Sequence, residues 1–479
     1  MAQRGPAERR RAVVSGTLGS SVEWYDFYLY GVAAAVIFNK QFFPSGTSPY
    51  VATLLAFSTY AVGFVARPLG GIIFGHFGDR LGRKRALIVS LLMMGTATFL
   101  VGCMPTYATI GVAAPVILTV LRFIQGIGVG GEWAGATLMV TEQVPPERRG
   151  FVGGLPQVGV AFGALSSNGL YSIVSTVMDH DAFNSWGWRL PFLFSAVLVA
   201  TGLYVRLSLM ESPVFLEMRG QGKIERLPVL TAIREHPLTI LRVAGIRVAD
   251  IGNYYVWTSF MLSYAVSIGL SQNHILVPTL VVSGLSLLTI PLWGYVSDRI
   301  GRRGTIWLGA LAMAVIAFPF LWAVQHGNLA VILVTLMVGV NIGRDACYGP
   351  QAAYFTELFP AHIRYSGASL GPQLASIFGG CAPLIATALA GPDNTRVGLV
   401  AGLVVVMSVV TAVSSAVSRE TAIAKTGFDS TLSPPPAPGG APPPGGPPAP
   451  AGGGRPGGGP RPPRRRGGGR AAREAAGPL

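Results

Sequence analysis

Inside the long apolar stretches of this chain, ionisable side chains stand in groups, and the groups keep helical spacing. At 100° per residue, Glu23, Asp26 and Tyr30 fall within about 60° of helix circumference, and Arg122, Gln125 and Glu132 within about 80°. Arg247, Asp250 and Tyr254 share about 60°, and Asn341, Arg344, Asp345 and Tyr348 about 100°. A charge facing lipid costs at least roughly 2.5–3.5 kcal/mol, so these groups are expected to face an interior, where they mark a pathway or a buried pair. A carboxylate whose arginine partner leaves can take up a proton. The arginine so released can hold an anion through forked hydrogen bonds.

Asp26 and Glu23, facing Arg122, are the leading proton-coupling candidates, and Glu132 is a further one. The candidates for holding a substrate are Arg122, Gln125, Tyr30, Arg247, Asp250, Tyr254, Asn341, Arg344, Asp345 and Tyr348. Arg247 and Asp250, one turn apart, also read as a self-neutralising structural pair. Tyr25, Tyr28, Trp133, Tyr254 and Tyr255 are candidates for shaping a cavity. No Ser-His-Asp, Cys-His or metal-ligand arrangement stands out, so an enzyme, a metal site or a cofactor is not expected. The coupling ion is expected to be the proton.

The elements that carry these groups are set by composition. Half of the 479 residues are hydrophobic, 12% are charged, and the mean hydropathy is +0.50. The natural solvent for such a chain is a bilayer. Twelve windows of roughly the 20 residues a crossing requires can be drawn. They run over 12–38, 50–76, 86–104, 107–140, 151–178, 188–210, 241–268, 276–296, 305–324, 329–358, 366–391 and 396–417. The reading is therefore an all-α polytopic membrane protein.

The +15 net charge collects in alternate connections between these windows, among them Arg83, Lys84 and Arg85, and Arg299, Arg302 and Arg303. That positive-inside pattern puts both termini in the cytoplasm, in a cell (inner or plasma) membrane. Because the basic residues flank apolar spans and form no stripe with interleaved aromatics, nucleic acid is not an expected partner. Residues 1–210 are expected to form an N-terminal six-helix bundle and 241–420 a C-terminal one. Residues 211–240, with Pro213, Pro228 and Pro237, form a cytoplasmic linker between them. Residues 426–479, rich in Pro, Gly and Arg, are expected to be a disordered cytoplasmic tail.

Two loops repeat one another. Gly75-His-Phe-Gly-Asp79-Arg80-Leu-Gly82-Arg83 joins the second and third windows, and Gly294-Tyr-Val-Ser-Asp298-Arg299-Ile-Gly301-Arg302 the eighth and ninth. Glu142-Gln-Val-Pro145, followed by Arg149-Gly150, is matched by Glu357-Leu-Phe-Pro360, followed by Arg364 and Gly367. The aspartates can accept hydrogen bonds at a neighbouring helix N-terminus, and the arginines can bridge carboxylates. The glycines of Gly126-Ile-Gly128-Val-Gly130-Gly131 lie in an apolar helix and read as close helix packing, not as a dinucleotide loop.

From about residue 12 to 420 these repeats resemble the major facilitator superfamily. That resemblance implies twelve transmembrane helices in two pseudo-symmetric six-helix bundles, with the first, fourth, seventh and tenth lining a central cavity. It also implies that Asp79, Arg83 and Glu142, with their counterparts Asp298, Arg302 and Glu357, form cytoplasmic latches that gate alternating access. Val22-Glu23-Trp-Tyr-Asp26-Phe, Phe64-Val-Ala-Arg67-Pro68, Arg122-Phe-Ile-Gln-Gly and Trp188-Arg189-Leu-Pro191 resemble the metabolite:proton symporter branch. Members of that branch import shikimate, 2-oxoglutarate, citrate, or proline and glycine betaine.

The implied function is proton-coupled import of a small organic acid, shikimate or a related carboxylate, by a protein working as a monomer in the lipid bilayer. The alternative is proton-coupled uptake of a zwitterionic compatible solute such as proline or glycine betaine. An efflux antiporter is disfavoured by Gly154-Leu-Pro156-Gln-Val-Gly159 in place of a Gly-Pro-x-x-Gly-Gly run. A membrane sensor is disfavoured by the charge clusters.

Overall fold

The computed structural model describes residues 6–44, 46–81, 83–130, 132–141, 144–207, 228–360 and 363–422. Twelve long helical segments follow one another among them. The first six are α1, Pro6–Ala33 prolonged by a π-helical turn Ala34–Phe38; α2, Pro49–Val65 then Arg67–Leu81; α3, Arg83–Cys103; α4, Ala113–Val129 then Glu132–Thr141; α5, Arg149–Val177; and α6, Arg189–Leu207. In the second set, α7 comprises Pro237–Tyr255, a π-helical turn Val256–Phe260, and Met261–Ser267; α8 is Asn273–Ile300 and α9 is Arg302–His326. Helix α10 comprises Leu329–Met337, a π-helical stretch Val338–Arg344, Asp345–Tyr348 and Gln351–Glu357; α11 is Arg364–Ala390 and α12 is Gly398–Ala416.

Local chemistry sets several ends. Pro49 starts α2 behind Ser48, whose hydroxyl accepts the Val51 amide. Asn328 caps α10 by accepting from the amides of Ala330 and Val331, directly after α9 stops at Gly327 in the left-handed region, φ 64°. Two expected boundaries move. Residues 107–110 form a separate turn before α4, because Gly111 at φ 58° breaks the helix. Part of the expected linker is helical, over Pro228–Glu235, while 208–227 lie outside the described residues, as does the tail from 423 on.

Eight of the helices are long and apolar enough to cross a membrane by length and composition, and α3 and α4 contain shorter apolar stretches. Helices α1 and α7 carry Glu23, Asp26, Arg247 and Asp250 within theirs. On α9, Leu311, Val315, Phe318 and Trp322 stand exposed along one face, as do Val406, Val409, Val410 and Val413 on α12. Water would not tolerate such stripes, whereas hydrocarbon solvates them.

The packing of the first six helices repeats in the last six. α1 lies on α5 as α7 lies on α11, α3 on α6 as α9 on α12, and α2 on α4 as α8 on α10. The two sets meet along α5 with α8 and α2 with α11, pairs that exchange with one another under the same repeat. Helix α4 reaches α2 through glycine: a Cβ at Gly126 would stand 2.0 Å from the Gly63 carbonyl oxygen, and one at Gly130 2.1 Å from that of Arg67. Gly126→Val is therefore expected to cost about 3 kcal/mol, the upper end of the usual overpacking range. A lowered unfolding midpoint in detergent checks this.

Candidate functional site

The four charged helices bring their polar groups to the middle of the molecule. In the first set, Arg122 on α4 donates to Gln125 Oε1 at 3.1 Å, and Gln125 donates to Thr98 Oγ1 on α3 at 2.6 Å. The Thr98 hydroxyl in turn donates to Asp26 Oδ2 at 2.7 Å. Asp26 thus reaches Arg122 through two intervening side chains, and the whole relay is fully buried.

Glu23 takes a different partner. Its Oε1 lies 3.4 Å from Nη2 of Arg67 on α2, an ion pair with both members buried. The expectation that Glu23 faces Arg122 is corrected accordingly. One turn of α1 rotates Glu23 toward α2 and Asp26 toward α3, since the two differ by about 60° around the axis. Both guanidiniums rest on the same ring: the Cζ atoms of Arg67 and Arg122 lie 4.1 and 4.0 Å from the Phe27 centroid. Tyr30 packs 4.3 Å from the Arg122 Cζ and donates to Thr59 at 2.9 Å. The side chain of Glu132 lies outside the described residues.

In the second set, Arg247 and Asp250 are not directly paired. Arg247 Nη1 donates to Gln351 Oε1 at 2.6 Å, and Gln351 Nε2 donates to Asp250 Oδ1 at 2.9 Å. The amide of α10 thus separates two charges that helix spacing alone would pair. Arg344 binds Asp345 Oδ1 at 2.9 Å. Asp345 Oδ2 accepts from Ser286 and Thr289 of α8 at 2.6 and 2.5 Å, and Asn341 donates to the same serine and to the Val282 carbonyl. The Tyr348 ring lies 4.5 Å from Arg344 and 5.2 Å from Arg247, and Tyr254 lies 5.1 Å from Arg344. The π-helical stretch of α10 contains Asn341 and Arg344, and that of α7 follows directly on Tyr254 and Tyr255; such turns recur at functional sites.

Across the interface, Tyr28 meets Tyr254 and Tyr255 at 5.2 and 5.9 Å between centroids, and Phe64 meets Tyr255 at 5.3 Å. Arg247 lies over Trp133 at 5.2 Å. Tyr25 instead turns into the first set, donating to the Pro191 carbonyl at 2.6 Å. Several donors around this centre find no acceptor among the described residues: Nε of Arg67, Arg122, Arg247 and Arg344, and Nη2 of Arg122.

One end of the centre is closed by the second repeated loop. Asp298 accepts the amides of Gly150 and Phe151, the opening residues of α5, at 2.9 Å each. Arg302 donates to Asp298 at 2.7 Å and pairs with Glu357 at 3.4 Å, while Thr421 donates to Glu357 at 2.6 Å. The backbones nearly touch here, since a Cβ at Gly294 would stand 2.4 Å from the Gly150 carbonyl oxygen. The side chains of Asp79 and Arg83, and Glu142 as a whole, lie outside the described residues. At the other end α1 and α7 meet, where a Cβ at Gly31 would lie 2.7 Å from Ser259 Oγ.

Sequence reading passed over Arg67, Thr98, Gln351 and Ser286. Arg67 carried a signal, because the cost of a charge within an apolar span applies to it as well. Threonine and serine in apolar helices carry none.

The family described as "Sugar (and other) transporter" matches residues 12–251 and 252–418. The chain is 44% identical over 384 residues to the shikimate transporter of Escherichia coli (strain K12), covering 79% of this chain and 87% of that protein. It is 33% identical over 424 residues to the proline/betaine transporter of the same organism, covering 86% and 84%. Among solved structures, the major facilitator superfamily proton:xylose symporter XylE bound to 6-bromo-6-deoxy-D-glucose superposes with a TM-score of 0.68. It is 20% identical, covering 89% of this chain and 98% of that one, a likeness of fold.

Proposed function

Because the chain belongs to the sugar (and other) transporter family of the major facilitator superfamily, and is a membrane transporter and not an enzyme, we propose that it imports a small organic acid by proton symport through alternating access. Shikimate or a related carboxylate is the best fit, on the relative that is 44% identical over 384 residues. The observation that carries this reading is the set of buried guanidinium N–H groups without an acceptor among the described residues, on four arginines that converge between the two helix sets. Buried donors of this kind cost free energy until an acceptor arrives, and a carboxylate with hydroxyls supplies several acceptors at once.

The carboxylates Asp26, Glu23 and Glu132 are the proton-coupling candidates. Arg122, Arg247 and Arg344 hold the anion, with Gln125, Asn341 and the tyrosines placing it. The end bearing the Asp298 loop faces the cytoplasm with both termini, by the charge bias of its loops. The protein works as a monomer.

A second reading is proton-coupled uptake of proline or glycine betaine. The tyrosine and phenylalanine rings at the interface favour it, because aromatic faces attract a quaternary ammonium group. Purified protein in liposomes decides between the two. An inward proton gradient is expected to concentrate labelled shikimate inside, with proton entry that depends on shikimate. Accumulation of betaine alone would replace the cargo and keep the mechanism. Absence of substrate-dependent proton movement with every organic acid and betaine tested would end the symport reading.

A further inference from the structure

We propose that Glu23 and Arg67 form the coupling switch: a proton taken by Glu23 releases Arg67, which then binds the carboxylate of the substrate. This rests on the import reading above and assigns within it two roles that helix spacing could not rank.

Three observations separate this pair from Asp26. First, its geometry is loose. Arg67 holds Glu23 at 3.4 Å and Ser376 Oγ at 3.5 Å, as long as Arg302 with Glu357 at 3.4 Å and longer than the 2.7 Å of Arg302 with Asp298 and the 2.9 Å of Arg344 with Asp345. Charge-assisted bonds contract to about 2.7–2.9 Å when the geometry allows. The Nε of Arg67 finds no acceptor among the described residues, and the guanidinium also rests on the Phe27 and Phe64 faces.

Second, the pair spans the interface. Ser376 belongs to α11, in the opposite helix set, so Arg67 senses the relative position of the two sets. Asp26 is enclosed by α3 and α4 of its own set, through Thr98 and Gln125. A coupling group must respond both to cargo and to which side is open, and of the two carboxylates of α1 it is Glu23, through Arg67, that reaches the opposite set among the described residues.

Third, Glu23 lines a narrow crevice between α1, α4 and α5, beside the polar groups of Ser20, Thr137 and Gln157 and beside Gly16, one turn further toward the start of α1. It has room for about one water, and the hydroxyls and amide around it can pass a proton to and from that water.

Arg67 of α2 faces Glu23 directly, and Tyr348 of α10 lies within electrostatic range. Trp133 and Thr137 of α4 and Gln157 of α5 share its crevice. Arg67 itself interacts electrostatically with Arg247 and Tyr255 of α7 and with Tyr60. The step balances. One proton from the outer side converts the Glu23 carboxylate to the neutral acid, and the arginine stays cationic and exchanges one carboxylate for another. After opening inward the substrate leaves, the same proton departs into the crevice, and Glu23 pairs with Arg67 again.

The full-length protein in liposomes, with labelled shikimate, tests this. Glu23→Gln mimics the neutral acid and is expected to keep exchange of labelled for unlabelled shikimate while losing gradient-driven concentration. In a thermal-shift series, stabilisation of the wild type by shikimate is expected to fall as pH rises through the carboxylate titration, and that of Glu23→Gln to stay flat. Glu23→Asp, which still titrates, is expected to concentrate shikimate. Arg67→Gln, made in the Glu23→Gln background so that no buried carboxylate is left unpaired, is expected to lose both the exchange and the stabilisation by shikimate that Glu23→Gln alone keeps.

Glu23→Gln that still concentrates shikimate overturns the proposal, as does Arg67→Gln in the Glu23→Gln background that exchanges normally. Asp26→Asn with the profile expected of Glu23→Gln, when Glu23→Gln lacks it, moves the role to Asp26. A wild-type protein without shikimate-driven proton movement removes the import reading first, and this proposal with it.

Discussion

Arg122→Ala is expected to reduce uptake of the proposed cargo, shikimate, by at least about thirtyfold, because truncating one member of a buried, hydrogen-bonded charge network costs roughly 2–5 kcal/mol. Arg122 is fully buried, donates to Gln125, and leaves two further N–H groups without an acceptor among the described residues. Its removal takes away the donors proposed for the substrate. It also leaves the Gln125–Thr98–Asp26 relay without its cation. The loss should appear in affinity as well as in rate, measured by thermal shift and by initial uptake. Arg122→Lys keeps the charge but not the planar fork, and is expected to recover only part of the affinity. Uptake by Arg122→Ala near the wild-type level would remove Arg122 from the proposed site.

The second large effect is expected at the proposed gate. Arg302→Met leaves Asp298 and Glu357, both buried, without the guanidinium that joins them. Breaking a buried pair in this way costs about 3–5 kcal/mol. That cost falls on the closed arrangement, in which Asp298 also holds the first amides of α5. The variant is expected to favour the state open at this end. A cysteine placed near Gly150 should then react faster with a water-soluble maleimide, and concentrative uptake should fall about tenfold or more, since each 1.4 kcal/mol is a factor of ten. Unchanged labelling and uptake would show that the latch does not control the state. Arg302→Lys, which can still reach one carboxylate, is expected to lie between.

Much of the fold was legible because membrane helices announce themselves through local composition. The apolar windows around α5, α8, α9 and α12 predict helices whose ends the structure moves by only a few residues. The doubled Asp-Arg-x-Gly-Arg loop predicts a repeat, and the helix contacts follow one. Where a window's start moved, a glycine or proline outside the hydropathy signal was responsible: Gly111 detached the turn before α4, and Pro237 opened α7 ahead of the expected start at 241.

The candidate site was legible by face and not by partner. Helical period places Glu23 and Asp26 on one side of α1, but it carries no information about which neighbour each meets. That depends on how α1 is rotated against α2 and α3. Glu23 therefore went to Arg67 and Asp26 to Thr98, although the sequence offers Arg122 to both. Arg247 and Asp250 show the same limit, since Gln351, far away in the chain, enters between them.

The sequence by itself determined the solvent, the number of crossings, the repeat, and the helices on which charge is concentrated. Each of these follows from local transfer free energies and from a pattern that appears twice. Only the tertiary structure decided the partners: which carboxylate each arginine holds, which donors are left for a ligand, and which loop closes the end. Those outcomes depend on helix rotations and on approaches between residues distant in the chain, such as Arg67 with Ser376 and Gly150 with Asp298. Side-chain hydrogen bonds are decided over a few tenths of an ångström, a scale that a helical period of 3.6 residues does not reach.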